Sequence, residues 1–271
     1  MKNAKPVVKW AGGKSQLIEQ IEEYLPQEFG TYYEPFVGGG ALFFHMWNSG
    51  RIKEAVISDN NPDLINIYQV IKKRPEELIK ELKKPKYKNE KEAYYKIREW
   101  EPTEAVVKAA RMLYLNKTCF NGLYRVNSKG KFNVPFGKYK NPKFLNEDNI
   151  WAVHEALKNT EIRLCDFEKG VNGVKAGDFV YFDPPYHPLS STANFTGYTK
   201  NSFNEDDQRR LAKTFQRLAE NDVYVMLSNS YTDFIKELYD GFNLKIVYAR
   251  RAINSNANGR GEIKEYLILS Y

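Results

Sequence analysis

The sequence predicts an α/β protein built on a mixed, mostly parallel sheet with helices on both faces. Strands and amphipathic helices alternate at both ends of the chain, several strands are apolar without alternation, and a glycine-rich turn joins one strand to the next helix. Residues 61–144 show mainly helical spacing and one hairpin pattern. We therefore predict a core formed by residues 1–60 and 145–271, with an inserted domain of helices and a basic β-hairpin at 61–144.

The N-terminal elements follow the order of half a nucleotide-binding α/β unit. Ser15 is placed to cap a helix that ends near Pro26. The strand TYYEPF is followed by three glycines and a helix from Ala41 to Trp47, and the strand EAVIS then ends at Asp59. A carboxylate at such a strand end can accept hydrogen bonds from ribose hydroxyls, so this part predicts a ligand that contains a nucleoside.

The remaining elements alternate in the same way after the helical insertion. Helical spacing runs from Pro62 to about Leu115, and LYRVNSKGKFNVPF predicts a hairpin whose glycine allows a positive φ. The segments EIRLCDF, DFVYFDPPY and VYVMLSN predict strands, because each is short and rich in β-branched or aromatic residues. The last predicted elements are two helices, at 205–220 and 231–240, and two strands, at 243–249 and 264–270.

The composition is that of a soluble globular protein. The 271 residues are 42% hydrophobic and 28% charged, and no apolar run approaches the roughly 18–20 residues that cross a bilayer. The N-terminal residues are too polar for a signal peptide. Cys119 and Cys165 cannot form a disulfide framework. We therefore expect a cytoplasmic protein, and a monomer because no additional apolar helix face is evident.

The positive charge of the chain is concentrated in one segment. The formal net charge is +7, and the segment from Lys117 to Lys143 contains seven basic residues and no acidic ones. Five aromatic residues are interleaved with them, which is typical of a nucleic-acid-binding surface. Charge alone leaves an ordinary solvated basic face equally open.

The tetrapeptide Asp183-Pro184-Pro185-Tyr186 is the most specific motif, because it directly follows a predicted strand. Residues at the carboxyl end of a sheet strand face the ligand crevice, and two prolines restrict the backbone there. A carboxylate and a carbonyl held together suit an amino group on an aromatic ring. Hydrogen bonds to Asp183 and to the Pro184 carbonyl would stabilise positive charge on the attacking nitrogen, and Tyr186 could stack on the ring.

Two other kinds of site are disfavoured. The segment AGGKS lacks the first glycine of a P-loop, since position 8 is valine, so an ATPase is not expected. His45, His154 and His187 are isolated in the sequence, which gives no metal-ligand spacing.

Six motifs together resemble one family, the DNA adenine N6-methyltransferases of the Dam type, also described as the D12 class or alpha group. They are KWAGGK, EPFVGGGA, SDNNPD, the hairpin segment NGLYRVN with FNVPFGKYKNP, DPPY, and TANFT, in the family's order. The resemblance covers essentially the whole chain and is especially close to DpnM-like members through the hairpin. It implies an S-adenosylmethionine-dependent methyltransferase fold, a metal-free reaction, and methylation of adenine N6 in 5′-GATC-3′ of double-stranded DNA by base flipping.

The resemblance also implies roles for individual residues. The catalytic residues would be Asp183, Pro184, Pro185 and Tyr186. The S-adenosylmethionine-binding residues would be Trp10, Lys14, Glu34, Pro35, Phe36, Gly38, Gly40, Asp59, Asp166, Phe167 and Asp183. Arg125 would read a guanine, since an arginine fork suits guanine O6 and N7. The other DNA-binding residues would be Lys9, Asn121, Gly122, Leu123, Asn133, Pro135, Lys138, Ser190 and Asn194.

Two alternatives remain open from the sequence. One is a methyltransferase that acts on another planar amine, in RNA or in a protein glutamine, although such relatives commonly carry asparagine before PPY. The other is a non-catalytic DNA-binding regulator on the same fold, which would have no need of DPPY. The sequence is equally compatible with a solitary enzyme and with one that acts beside a cognate restriction endonuclease.

Overall fold

The computed structural model describes residues 3–189, 203–250 and 262–271. Within them, seven strands form one sheet in the order β3-β2-β1-β4-β5-β7-β6. All neighbours are parallel except β7, which runs antiparallel to β5 and β6. The strands are β1 (Tyr32–Glu34), β2 (Ala55–Asp59), β3 (Thr160–Leu164), β4 (Phe179–Phe182), β5 (Tyr224–Ser230), β6 (Asn243–Arg250) and β7 (Glu262–Leu269). The predicted mixed, mostly parallel α/β sheet is therefore confirmed.

Helices cover both faces of this sheet, and four of the described helices lie within residues 61–144, the predicted insertion. The described α-helices are α1 (Ile18–Glu22), α2 (Ala41–Asn48), α3 (Pro62–Lys73), α4 (Pro75–Leu82), α5 (Lys91–Glu99), α6 (Ala105–Thr118), α7 (Glu147–Leu157), α8 (Phe167–Gly170), α9 (Glu205–Ala219) and α10 (Asp233–Leu238). Among the described helices, none is long and apolar enough to cross a bilayer.

The central strands are buried on both faces. In β4, Phe179 and Tyr181 belong to one hydrophobic cluster, while Val180 and Phe182 belong to the cluster on the opposite face. Successive side chains of a strand point to opposite sides, so a strand covered twice is apolar at every position. This arrangement explains why the sequence FVYF shows no polar alternation.

The N-terminal helix differs from its prediction. Lys14–Gln16 form a 3₁₀ turn, and α1 begins only at Ile18 without a side-chain cap. Ser15 lies inside that 3₁₀ turn, so the prediction that it caps the helix is wrong. Gly12 and Gly13 precede this turn, and Gly12 has a positive φ. The spacing of leucine and isoleucine predicts the helix but gives no information about the 3₁₀ turn before it.

The basic segment reverses direction where the hairpin was predicted, but its antiparallel pairing is limited. Isolated bridges join Val126 to Phe132 and Cys119 to Phe136, and neither extends into a strand among the described residues. The Asn127 side chain accepts hydrogen bonds from the backbone N–H groups of Lys129 and Lys131, both at 3.0 Å. Hydrogen bonds from the backbone to the Asn127 side chain stabilise the turn. Pro135 has no N–H to donate, so the regular ladder of a hairpin cannot continue through it.

Candidate active site

The candidate site lies at the carboxyl ends of the parallel strands. Glu34 ends β1, Asp59 ends β2, and Asp183 directly follows β4. Because parallel neighbours finish at the same edge of a sheet, three acidic side chains separated widely in sequence meet there. This is the edge at which the sequence predicts the crevice.

Asp183 forms a buried ion pair with Lys14. The Lys14 Nζ lies 2.7 Å from Asp183 Oδ1, and the two side chains are only 7% and 18% exposed. Burial raises the pKa of Asp183 to about 6, while the nearby Lys14 ammonium acts in the opposite direction. Burial disfavours the charged carboxylate and the cation favours it, so Asp183 is ionised at neutral pH.

Tyr186 lies beside the same ion pair. The Lys14 Nζ is 4.6 Å from the centroid of the Tyr186 ring, within the range of a cation–π interaction. The Tyr186 hydroxyl donates a 2.7 Å hydrogen bond to Glu265 Oε2 on β7. Two interactions thus fix the ring at both its face and its hydroxyl end, close to Asp183.

Glu34 lies buried beneath these residues. It is 3% exposed and accepts a 2.9 Å hydrogen bond from the Tyr32 hydroxyl. Burial raises its pKa to about 8, and the hydrogen bond from Tyr32 only partly opposes that shift. Glu34 is therefore protonated at neutral pH, and the negative charge of the pair Glu34 and Asp183 is carried mainly by Asp183.

This protonation predicts how stability depends on pH. The pKa of Glu34 is about 8 in the folded protein against an ordinary 4.5, so the folded state holds a proton that the unfolded state releases between these values. Wild-type stability contributed by this group is thus complete below pH 4.5 and lost as pH rises towards about 8. The Glu34→Gln variant lacks this loss, so its melting temperature should exceed that of the wild type increasingly from pH 5 to 8.5, by at least about 2–4 °C.

Thermal melts of both proteins without ligand, at several pH values, measure this difference. The exposed Glu19→Gln variant serves as the control and should show no gap that grows with pH. A Glu34→Gln gap that stays constant across the range would contradict a protonated Glu34.

The glycine-rich turn connects Asp59 to Trp10. The Gly38 N–H donates to Asp59 Oδ2 at 3.1 Å, and the Asn61 N–H donates to Asp59 Oδ1 at 2.9 Å. Gly38 has a φ of 46°, and a Cβ there would lie 2.8 Å from the Trp10 ring. Glycine is therefore required at this position both by the left-handed backbone and by the close approach of the indole.

Asp59 is partly buried at the end of β2, and burial raises its pKa to about 6. A carboxylate can accept about four hydrogen bonds, and those from the Gly38 and Asn61 N–H groups use only part of that number. Asp59 can therefore still accept hydroxyl donors from a ligand. This donor set suits the ribose of a nucleoside-containing cofactor.

Phe36 of the glycine-rich turn contacts Phe167 of α8, and Asp166 directly precedes α8. The Phe36 and Phe167 rings stack at 5.5 Å with an interplanar angle of 25°, and Phe167 is 2% exposed. Asp166 caps α8 by accepting the Glu168 N–H at 3.1 Å and also pairs with Arg210 of α9. The structure thus joins Phe36 to Phe167, whereas the Asp166 carboxylate is engaged with α8 and α9.

The predicted DNA-binding residues lie mostly on the loops of the insertion. Arg125 is exposed, and its guanidinium donates from Nε to Asn133 Oδ1 at 2.7 Å and from Nη2 to the Asn133 carbonyl at 3.3 Å. Lys9 is exposed above the Tyr139 ring, 4.9 Å from its centroid. Asn121, Pro135 and Lys138 are also exposed, whereas Leu123 and Asn133 are half-buried and Gly122 is buried. Ser190 and Asn194 lie outside the described residues.

Sequence reasoning missed the buried amide that joins the N-terminal segment to the insertion. Asn116 of α6 is fully buried, accepts the Lys9 N–H at 2.7 Å, and donates to the carbonyls of Lys9 and Gly122 at 2.9 and 3.1 Å. A Cβ on Gly122 would lie 2.3 Å from the Lys9 side chain. The sequence gives no signal for this contact, because Asn116 reads as one polar position in an apolar helix.

Sequence reasoning also missed Glu265, Gln208 and Asn229, which surround the DPPY segment. Asn229 of β5 is fully buried and Gln208 of α9 is 1% exposed, although both side chains are polar. The sequence gives no signal for them, since Gln208 lies in a helix rich in charged residues and only the fold shows that it is buried. Among the described residues, no cluster of three metal-ligating side chains is present.

The comparisons with known proteins agree with one another. Residues 10–253 match the family model of the D12 class N6 adenine-specific DNA methyltransferases. The chain is 47% identical to the Type II methyltransferase M.MjaIII of Methanocaldococcus jannaschii, over 98% of this chain and 99% of that protein. It is 43% identical to the Type II methyltransferase M1.LlaDCHI of Lactococcus lactis, over 99% and 96%. It is 39% identical to a DNA adenine methylase of Vibrio cholerae, over 99% and 97%.

Proposed function

Because this chain belongs to the D12 class N6 adenine-specific DNA methyltransferases, we propose that it methylates N6 of adenine in 5′-GATC-3′ sites of double-stranded DNA, with S-adenosylmethionine as the donor. The observation that carries the proposal is the partly buried group formed by Asp183, Lys14 and Tyr186 at the end of β4. The family membership decides for adenine in DNA over the RNA, glutamine and regulator alternatives. The chain acts as a monomer.

Asp183 and the Pro184 carbonyl bind the target amine. The lone pair of an adenine amino group is delocalised into the ring, which makes the nitrogen a weak nucleophile. Hydrogen bonds from both N–H groups to these acceptors favour the pyramidal nitrogen and stabilise the positive charge that develops on it. An ionised carboxylate can accept several donors, so Asp183 can hold Lys14 and the amine together.

Tyr186 holds the base in place. The adenine leaves the duplex and stacks on the ring, and this positioning supplies much of the rate gain because the nitrogen is held in line with the methyl group. The hydrogen bond to Glu265 at the far end of the ring keeps the ring plane fixed before the base arrives.

The chain's residues around the glycine-rich turn fit S-adenosylmethionine. Asp59 would accept the ribose hydroxyls, and the backbone from Glu34 to Gly40 would bind the methionine part. Phe36 and Phe167 would contact the adenine part. The Trp10 ring packs against Gly38 and so holds the glycine-rich turn in its conformation. S-adenosylmethionine would supply an electrophilic methyl group bonded to a positively charged sulfur. Transfer of this methyl group to N6 breaks its bond to sulfur, leaves S-adenosylhomocysteine as the product and releases one proton from the amino group.

Replacing Asp59 by alanine should weaken S-adenosylmethionine binding. A hydrogen bond to a charged group contributes about 1.5–3 kcal/mol, so we expect the dissociation constant to rise roughly 10- to 100-fold. Titration calorimetry without DNA measures this constant. The control is Asp240→Ala, which removes an exposed carboxylate after α10 and should bind like the wild type. Equal affinity of wild type and Asp59→Ala would remove Asp59 from the cofactor site.

The basic segment binds the DNA. Arg125 and Lys138 of this segment, and Lys9 of the N-terminal segment, present exposed cationic groups. Phosphate neutralisation by such groups provides affinity without sequence information. Base contacts provide the sequence choice, and Arg125 is the residue suited to guanine.

The test of the proposal is nucleoside analysis of methylated DNA. Purified protein is incubated with duplex DNA and S-adenosylmethionine carrying a labelled methyl group, and the DNA is digested to nucleosides. The label should appear in N6-methyl-2′-deoxyadenosine from the DNA. Label in a methylated cytosine, or a DNA fraction without label alongside methylated RNA or protein, would overturn the proposal.

A further inference from the structure

We propose that Gln208 and Asn229 are positioning residues that hold the backbone on both sides of Tyr186 in its reactive position. The inference rests on the proposed function of the DPPY segment and assigns two residues that lie outside the family motifs quoted above. Neither side chain is placed to touch the base; they act through the backbone of residues 185–187.

Two buried amides form one chain of hydrogen bonds to this backbone. The Gln208 Nε2 donates to the Pro185 carbonyl at 2.9 Å, and the Asn229 Nδ2 donates to Gln208 Oε1 at 3.0 Å. The Asn229 Oδ1 accepts the His187 N–H at 3.1 Å and the Ser230 N–H at 2.8 Å. The two amides therefore bind the carbonyl before Tyr186 and the N–H after it.

The segment needs this support because the sheet ladder stops before it. The register of β4 with β5 ends where Phe182 lies opposite Leu227. Pro184 and Pro185 carry no N–H, so they cannot extend the ladder. A proline fixes φ but leaves ψ free, and ψ of Pro185 sets the direction in which Tyr186 leaves the backbone. The hydrogen bond to the Pro185 carbonyl is the interaction that fixes this angle.

The burial of the two amides favours a specific role over general packing. Gln208 is 1% exposed and Asn229 is 0% exposed, and apolar side chains of similar size would fill the same volume without a polar desolvation cost. Each amide donates one hydrogen bond and accepts at least one, so the bonds run from the His187 N–H through Asn229 and Gln208 to the Pro185 carbonyl. Gln208→Met keeps the volume and Gln208→Leu places an apolar side chain there; neither can donate to the Pro185 carbonyl or offer an amide oxygen to Asn229.

The first measurement is hydrogen exchange of the peptide that contains residues 183–187. Because two of these residues are prolines, the peptide reports on few amides, among them those of Tyr186 and His187. Exchange should rise at least about 10-fold in Gln208→Met and in Gln208→Leu, with other peptides unchanged. This readout does not depend on activity, so it tests whether the two amides hold the backbone even if the proposed function fails. Unchanged exchange in both variants would overturn that role.

The second measurement is steady-state methyl transfer to DNA by the same variants. Displacement of a catalytic group by about 1 Å can cost roughly 100-fold in rate, so we expect kcat to fall roughly 10- to 100-fold. The KM for DNA and the Kd for S-adenosylmethionine should stay within about twofold, since neither ligand touches Gln208. Raised exchange with normal kcat, or a loss of kcat matched by the loss of binding, would overturn the positioning role.

A matched control separates positioning from stability. Thr214 lies on the same helix, is also buried, and its hydroxyl donates to the Arg210 carbonyl at 3.1 Å. The Thr214→Val variant should lower the melting temperature by about as much as Gln208→Met does. It should keep the wild-type kcat and the wild-type exchange of the peptide 183–187. If Thr214→Val also reduced kcat with unchanged binding, the effect would be one of general stability and the proposal would fail. Absence of methyl transfer by the wild type would instead refute the proposed function.

Discussion

Replacing Asp183 by alanine is expected to reduce methyl transfer by at least roughly 10³-fold while DNA binding stays within about threefold of the wild type. Loss of one preorganised group that stabilises developing charge typically costs about 10²–10³ in rate, and Asp183 provides both the charge and an acceptor. Arg125 and Lys138, the exposed cations proposed to bind DNA, lie in the basic segment and are not part of the DPPY segment. Single-turnover transfer and fluorescence anisotropy with a labelled duplex measure the two quantities.

Asp183→Asn separates charge from shape in this experiment. Alanine leaves the Lys14 ammonium, which is 7% exposed, without its carboxylate partner, and an unpaired buried charge destabilises the fold. Asparagine retains an acceptor for Lys14, so this variant should melt closer to the wild type and still show a large loss of rate. Wild-type turnover by either variant would remove Asp183 from the mechanism.

Replacing Arg125 by alanine is expected to relax the choice of sequence at one base pair. A bidentate arginine–guanine contact contributes about 1–3 kcal/mol of discrimination, which corresponds to roughly 5- to 140-fold in the ratio of kcat/KM between matched and mismatched duplexes. Asn133 receives two of the donors of Arg125 and fixes the guanidinium, and the remaining donors can reach guanine.

Competition between GATC and single-mismatch duplexes measures this ratio at every position of the site. Lys129→Ala is the control, since it removes an exposed charge from the turn of the same segment and should weaken binding to all duplexes alike. If Arg125→Ala showed the same uniform loss as the lysine variant, Arg125 would be a phosphate contact and not a base reader.

The sequence predicts the parts of the fold that depend on local pattern. The buried strand FVYF, the glycine-rich turn before α2 and the carboxylate at the end of β2 all follow from short-range periodicity and turn chemistry. The strand order does not, because β7 inserts between β5 and β6 and pairs antiparallel with both. The position of β7 beside β5 is what brings Glu265 to the Tyr186 hydroxyl.

The site shows the same division between local and long-range information. Asp183 and Tyr186 are found from one tetrapeptide, since the chemistry and the spacing are contained within it. The partner of Asp183 is Lys14, far away in the sequence, in a segment that superficially resembles a phosphate-binding loop. Gln208 and Asn229 carry no motif, and only their burial in the folded chain indicates a role.

The most direct test of the central claim compares two matched duplexes, one with GATC and one with GTAC, in labelled methyl transfer from S-adenosylmethionine. Both duplexes have the same composition and the same number of adenines, so they differ only in the order of the two central bases. Transfer to the GATC duplex alone is the result that the proposed activity and site require. Equal transfer to both would contradict the sequence choice assigned to the basic segment, and transfer to neither would contradict the proposed reaction at this site.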